Sequence, residues 1–179
     1  MTDSETKPSA QGSPFWRFSL KLYRQAGVAD ACIALQEQSR VDVNLLLYLL
    51  WRAGESRSFA PAEVAVLESR IGPWRDATVI PLRAVRRALK VPPALVAGPT
   101  AEVFRNKIKA VELEAERLQQ EAMYALAQAQ AEPPGRAAAS PAAAARANVA
   151  AYQTMLGVTF SQPAVDAVLA AFITMHTGE

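Results

Sequence analysis

Two groups of residues carry types and spacings that could do chemistry. In the segment WRDATVIPLRAVRRALK, residues 74 to 90, Arg83, Arg86, Arg87 and Lys90 recur at steps of three and four, while Leu82, Val85 and Leu89 share another face. This is the pattern of an amphipathic helix carrying a basic stripe. The stripe is nearly all arginine, whose planar guanidinium fork suits phosphate or carboxylate, and Trp74 beside Arg75 offers a ring to stack on a base or a partner's side chain. Residues 61 to 99 hold six Lys or Arg against three Asp or Glu, although the whole chain is only +2. The second group lies in VDVNLLLYLLW, residues 41 to 51, where Asp42 and Asn44 precede seven consecutive apolar residues. Asp42, Asn44, Trp16 and Trp51 are candidates for a small pocket, while the plainer alternative is that Asn44 satisfies a backbone group or a neighbour such as Gln36.

The remaining inventory is thin and excludes much. The lone histidine, His176, sits four residues from the end, a poor place for the base of a Ser-His-Asp or Cys-His system. A single Cys32 flanked by Ala31 and Ile33 reads as a core thiol and permits no intrachain disulfide. His/Cys metal sites lack ligands, no Gly-rich phosphate loop or paired-aspartate motif is present, and no cofactor is implied. These absences argue against an enzyme and leave open only a carboxylate mechanism, for which Asp30, Glu37 and Asp42 are the residues at hand. The opening MTDSETKPSAQGS has neither a basic start nor an apolar run, and with one cysteine the expected setting is cytoplasmic.

The elements that must position these residues are helical. A chain of 179 residues with 51% hydrophobic side chains and 8 Gly can bury one sizeable core, and strand-like alternation is absent. The expectation is an all-α, compact multi-helix bundle with one long helix and a C-terminal helical hairpin. After a disordered lead over residues 1 to 12, Ser13-Pro14 supplies a cap and a first-turn proline. Gly27 interrupts, Val28 resumes, and Asp42 caps a helix starting at Val43. Leu45 to Trp51 is far too short for a membrane-spanning helix, which needs roughly 20 apolar residues, so that helix is the centre of the core and the chain is not transmembrane.

A fourth helix is expected from Pro61 to Arg70, stopped by Gly72-Pro73, and Pro81 is expected to divide the next segment in two. From Thr100 to about Ala131, Phe104, Ile108, Val111, Ala115, Leu118, Ala122, Ala125 and Ala129 alternate steps of four and three, the seam of a long helix packed on its own bundle. Glu112 and Glu116 read as solvated positions of that helix. The domain so built spans residues 13 to 131, followed by an Ala/Pro-rich linker over 132 to 146 and a C-terminal hairpin over 147 to 177.

The run SPFWRFSLKLYRQAGVADACIALQEQSRVDVNLLLYLLW resembles the signature of an uncharacterised proteobacterial family known as domain of unknown function 2390. WRDATVIPLRAVRRALK is similar to the family's second motif, so the likeness covers roughly residues 13 to 125. Where the family pattern places a glycine ahead of the capping aspartate, this chain has Ser39-Arg40. The resemblance supports a helical domain and implies no chemistry. The favoured function is a small helical adaptor that binds another protein through the stripe, with Arg75, Arg83, Arg86, Arg87, Lys90 and Trp74, through the exposed parts of the aromatic first helix, or through both. The alternative is a nucleic-acid-binding module using the same helix, and the bland reading of the stripe is that it meets the glutamates of the long helix.

Overall fold

The computed structural model describes residues 12–177, and apart from Gly12 the lead expected over residues 1 to 12 lies outside the described residues. The chain runs α1 (Pro14–Tyr23), α2 (Val28–Ser39), α3 (Val43–Gly54), β1 (Arg57–Ser58), α4 (Pro61–Trp74), a π-helical segment (Arg75–Val79), α5 (Ile80–Ala88), α6 (Gly98–Gln128), β2 (Arg136–Ala137), α7 (Pro141–Leu156) and α8 (Gln162–Thr177). The fold is all-α, with a long helix, a C-terminal helical pair and one two-residue antiparallel ladder, Arg57 opposite Ala137 and Ser58 opposite Arg136.

The predicted caps form. Ser13 Oγ accepts the Trp16 amide at 3.1 Å, and Asp42 Oδ1 accepts the amides of Asn44 at 2.8 Å and Leu45 at 3.3 Å. These groups satisfy donors that a helix start leaves orphaned. From Asn44 to Leu50 every residue of α3 is buried, so α3 is the axis of the bundle. It packs most extensively on α7 and also on α1 and α6, while α2 packs on α8. Phe15, Tyr48, Tyr152 and Phe172 are the largest fully buried side chains around it.

Three expectations need correction. First, α4 is not stopped at Gly72-Pro73, although the segment after it does fall into a short turn, Arg75–Val79, and the longer α5 from Ile80, without a break in the helix between them. The helix continues through Pro73 to Trp74, widens into the π segment, and passes into α5 with Pro81 in its first turn. A proline ring clashes with the carbonyl four residues back, and the wider π turn relieves that clash without ending the helix. The Thr78 hydroxyl donates to the Trp74 carbonyl inside the same turn.

Second, the apolar seam of α6 is not the face that packs. Phe104, Val111, Leu118, Ala122, Ala125 and Ala129 are exposed, Ile108 is half-buried and only Ala115 is buried. The buried face instead carries Ala101, Glu112, Ala115, Gln119, Gln120 and Met123. At 100° per residue that face lies about 90° around the helix from the seam.

Third, the Ala/Pro-rich stretch 132 to 146 is anchored. Glu132 is buried and receives Arg52 at 2.6 Å, Arg57 at 2.7 Å and the Tyr48 hydroxyl. Gly135 sits at φ +62° where a Cβ would lie 2.9 Å from the Ser58 carbonyl oxygen, so only glycine fits beside the ladder. Residues 141 to 146 already belong to α7, which Ser140 caps through the Ala143 amide at 3.1 Å. Asn148, fully buried on α7, accepts the Phe59 amide at 2.7 Å and donates to the Leu49 carbonyl at 2.8 Å.

Candidate functional site

A cleft of about 1010 Å³ opens between α1, α2, α5 and α6, with the N-terminus of α3 at its floor. Its construction starts at Asp42. One carboxylate oxygen caps α3. The other accepts Gln119 Nε2 at 3.1 Å and an Arg75 guanidinium nitrogen at 3.3 Å. The Asp42 amide donates to the Tyr152 hydroxyl oxygen at 2.8 Å. Burial, then the Asp42 charge, push the Tyr152 phenol well above its ordinary range.

A carboxylate only accepts, so it dictates the orientation of every amide that follows. Gln119 must turn Nε2 toward Asp42, which leaves Gln119 Oε1 to accept Asn44 Nδ2 at 2.8 Å. Asn44 Oδ1 is then free to accept Gln120 Nε2 at 2.8 Å. The relay Asp42, Gln119, Asn44, Gln120 ends on Gln120 Oε1, a buried acceptor with no partner among the described residues. Ser19 Oγ and Glu68 Oε2 are likewise buried and unpartnered, and both residues line the same cleft.

The basic residues divide. Arg75 reaches Glu68 at 2.6 Å, Asp76 at 2.9 Å and Asp42. Burial works against its charge, but the hydrogen bonds to Asp76 and Glu68 and the nearby carboxylates outweigh it and hold the guanidinium protonated more firmly than usual. Arg83 spans Glu112 at 3.0 Å and Glu116 at 2.7 Å, and Arg86 grips both oxygens of Glu112. Burial would raise the Glu112 carboxyl, yet the hydrogen bonds from Arg86 and Arg83 prevail and lower it. At Glu116 burial prevails and the carboxyl is raised. Arg87 pairs at the surface with Glu37 at 2.8 Å, and Lys90 is exposed with no carboxylate paired to it among the described residues.

Of the candidate pocket residues, Asp42, Asn44 and Trp16 meet in the cleft. Trp51 does not. It lies two turns along α3 in an aromatic cluster with Phe15 at 5.4 Å, Tyr48 at 5.7 Å and Tyr124 at 5.7 Å between ring centroids, with the Arg52 guanidinium 5.2 Å from its ring. Trp74 is separated from the stripe, donating Nε1 to the Ala115 carbonyl at 3.0 Å beside an apolar groove of about 670 Å³ that includes Ile71, Leu118, Ala122 and Met123.

The plainer reading of the stripe, that it meets the glutamates of the long helix, holds for Arg83 and Arg86 on Glu112 and Glu116, whereas sequence reasoning missed Glu68, Gln119, Gln120 and Tyr152. The signal for that pairing was the match between Arg83 and Arg86, three apart, and Glu112 and Glu116, four apart, on two consecutive helices. Glu112, read as solvated, is only 5% exposed.

The same inward turn of the arginines leaves apolar groups outside. No residue of α5 is buried, and Ile80, Val85, Val91, Leu95, Phe104 and Val111 are all between 44% and 95% exposed across α5, its connection and the first half of α6. Folded hairpins usually bury this chemistry and solvate the charges.

These features define an all-α domain with a polar cleft and an outward-facing apolar hairpin. The chain belongs to the family described as Protein of unknown function (DUF2390), whose model matches residues 14–123. The matched segment contains the whole Asp42 to Gln120 relay and its arginine partners, whereas Glu132 and Tyr152 lie beyond it. Comparison with curated proteins and with solved structures found no match. Among the described residues no helix is long and apolar enough to cross a membrane.

Proposed function

We propose that this domain is a protein-binding module, a small helical adaptor of the bacterial cytoplasm, whose docking surface is the apolar outside of the α5–α6 hairpin. The observation that carries the reading is the inverted hairpin: Arg83 and Arg86 face inward onto Glu112 and Glu116, while Val85, Leu95, Phe104 and Val111 face solvent. Lys107 is exposed on α6 one turn from both Phe104 and Val111, so the partner that fits is an amphipathic helix with an acidic flank. The arginine stripe does not reach this surface: Arg83 and Arg86 brace the hairpin, while Arg87, paired with Glu37, and Lys90 line the cleft. A single buried Cys32, its thiol pushed up to about 12 by burial, suits a reducing compartment.

Nucleic-acid binding by the same helix is less well supported, because Arg83 and Arg86 would have to leave buried carboxylates to reach phosphate. The test is recovery from native lysate, with nuclease present, by the wild type and by a Phe104→Asp/Val111→Asp variant. A partner that binds the wild type stoichiometrically and is lost in an equally stable variant supports the module. Identical recovery by both proteins sinks it, and binding that nuclease removes and salt weakens steeply moves the function to nucleic acid.

A further inference from the structure

The cleft is independent of the hairpin's outer surface, and its wall has a chemical polarity that the protein-binding reading does not use. We infer that it is a binding site for a small organic cation bearing N–H donors, an alkylamine or a guanidinium, seated between Gln120, Ser19 and Glu68 under the aromatic side chains of Trp16 and Tyr23.

Three observations converge. The first is the amide relay. Because Asp42 can only accept, the chain of Gln119, Asn44 and Gln120 is locked in one sense, and its last atom, Gln120 Oε1, must be an acceptor. Gln120 is 3% exposed, and this oxygen has no partner among the described residues. Buried polar atoms are rarely left so, and a group that answers this one has to donate. Ser19 Oγ on α1, also in a residue 3% exposed, and Glu68 Oε2 on α4 add two further buried unpartnered oxygens along the same wall.

The second observation is charge. Arg83 and Arg86 are matched by Glu112 and Glu116, but Arg75 alone answers three carboxyl groups, Asp42, Glu68 and Asp76. Around Asp42 and Glu68 the excess is therefore negative, although the cleft as a whole is lined by seven basic and six acidic side chains. Arg40, Lys90 and Lys109, which have no ion-pair partner among the described residues, are exposed. An anionic ligand pressed onto the inner wall would meet the unpaired acceptors Gln120 Oε1 and Glu68 Oε2, whereas a cation would satisfy both and the Ser19 hydroxyl can turn to accept from it as well.

The third is the lip. Trp16, Ser19 and Tyr23 follow one another at steps of three and four on α1, so one face of that helix presents two rings around the Ser19 hydroxyl. Rings so placed favour a cation by their quadrupole. Trp16 is half-buried, and seating a ligand on the shielded oxygens requires the side chains of this lip to turn outward.

The experiment is isothermal titration of the full chain with putrescine, spermidine and agmatine at constant ionic strength, with sodium acetate and inorganic phosphate as controls, and tryptophan emission followed in parallel. Saturable binding of at least one of the three amines, at one per chain, with emission changing in the wild type but not in Trp16→Phe, is the expected result. Gln120→Leu and Glu68→Gln should each weaken that binding at least tenfold. Should Gln120→Leu fail to fold, Glu68→Gln, on a partly exposed side chain, carries the comparison. The Phe104→Asp/Val111→Asp variant should bind the amine as the wild type does, which separates this site from the docking surface. The inference is overturned if none of the three amines binds saturably, if acetate or phosphate binds in their place, or if both cleft variants bind with wild-type affinity.

Discussion

Arg86 holds both carboxylate oxygens of Glu112 inside the α5–α6 hairpin, and Arg83 Nε lies 3.0 Å from the same carboxylate. The pair is a structural joint, since Glu112 is buried and the Arg86 side chain only 22% exposed. Arg86→Glu would place two carboxylates against each other with one arginine left to serve them. Breaking a fully buried pair costs about 3–5 kcal/mol, and partial exposure of Arg86 brings the expectation to about 2 kcal/mol. Urea unfolding measures this, and an unchanged midpoint would mean the stripe is not engaged.

Glu112 and Glu116 move in opposite directions with pH. The Glu112 carboxyl is lowered from 4.5, so the stability it contributes is complete above that value and is lost as pH falls through its folded pKa. The Glu116 carboxyl is raised from 4.5, so its ionised form is disfavoured in the folded state and stability rises as pH falls through its elevated pKa. Stability should therefore increase slightly from neutrality toward mildly acidic pH and be lost again as pH falls below 4.5 through the lowered Glu112 value. Glu116→Gln should abolish the rise and keep the loss, as thermal melts across pH 3 to 8 would record on the order of a few degrees.

Arg40 ends α2 at φ 55°, ψ 29°, the left-handed conformation that glycine adopts without a Cβ penalty. The left-handed cost for other residues is roughly 1–2 kcal/mol, offset in part by glycine's greater unfolded-state entropy. Arg40→Gly should stabilise the domain by about 0.5–1 kcal/mol. A loss of stability in the melt would show that the Arg40 side chain contributes contacts outweighing its backbone strain.

Leu46 and Val111 are both aliphatic, one 1% and the other 52% exposed. Leu46→Ala should cost about 2–5 kcal/mol through the cavity it leaves, whereas Val111→Asp should change stability by less than about 0.5 kcal/mol. Comparable losses at both sites would return the α6 seam to the core.

Glu132 ties the connection after α6 to Arg52, Arg57 and Tyr48. Glu132→Ala would leave the buried Arg52 without this partner and free the ladder at Arg136, for a loss of about 3 kcal/mol. Limited proteolysis should then cut within residues 133 to 140 in the variant and leave them intact in the wild type.

What the sequence determined by itself was local. Ser13-Pro14 and Asp42 act on amides two or three residues away, so their helix starts were legible without any neighbour. The consecutive apolar residues of α3 left no face to put in water, and its central position followed. Tertiary structure decided everything that depended on which helix lies beside which. The heptad stripe of α6 and its Glu112, Gln119, Gln120 face were both present in the sequence, but periodicity specifies a face and not its neighbour. Asp42 and the arginines of α5 drew the polar face inward, because buried carboxylates and amides must find partners while apolar side chains can remain in water at modest cost. Gly72-Pro73 and Pro81 looked like stops because proline forbids an ordinary helical turn, and the π segment between them showed that a wider turn can carry the helix through. The cleft, assembled from residues of seven α-helices and the π segment, is a consequence of that packing and appears in no single stretch of the chain.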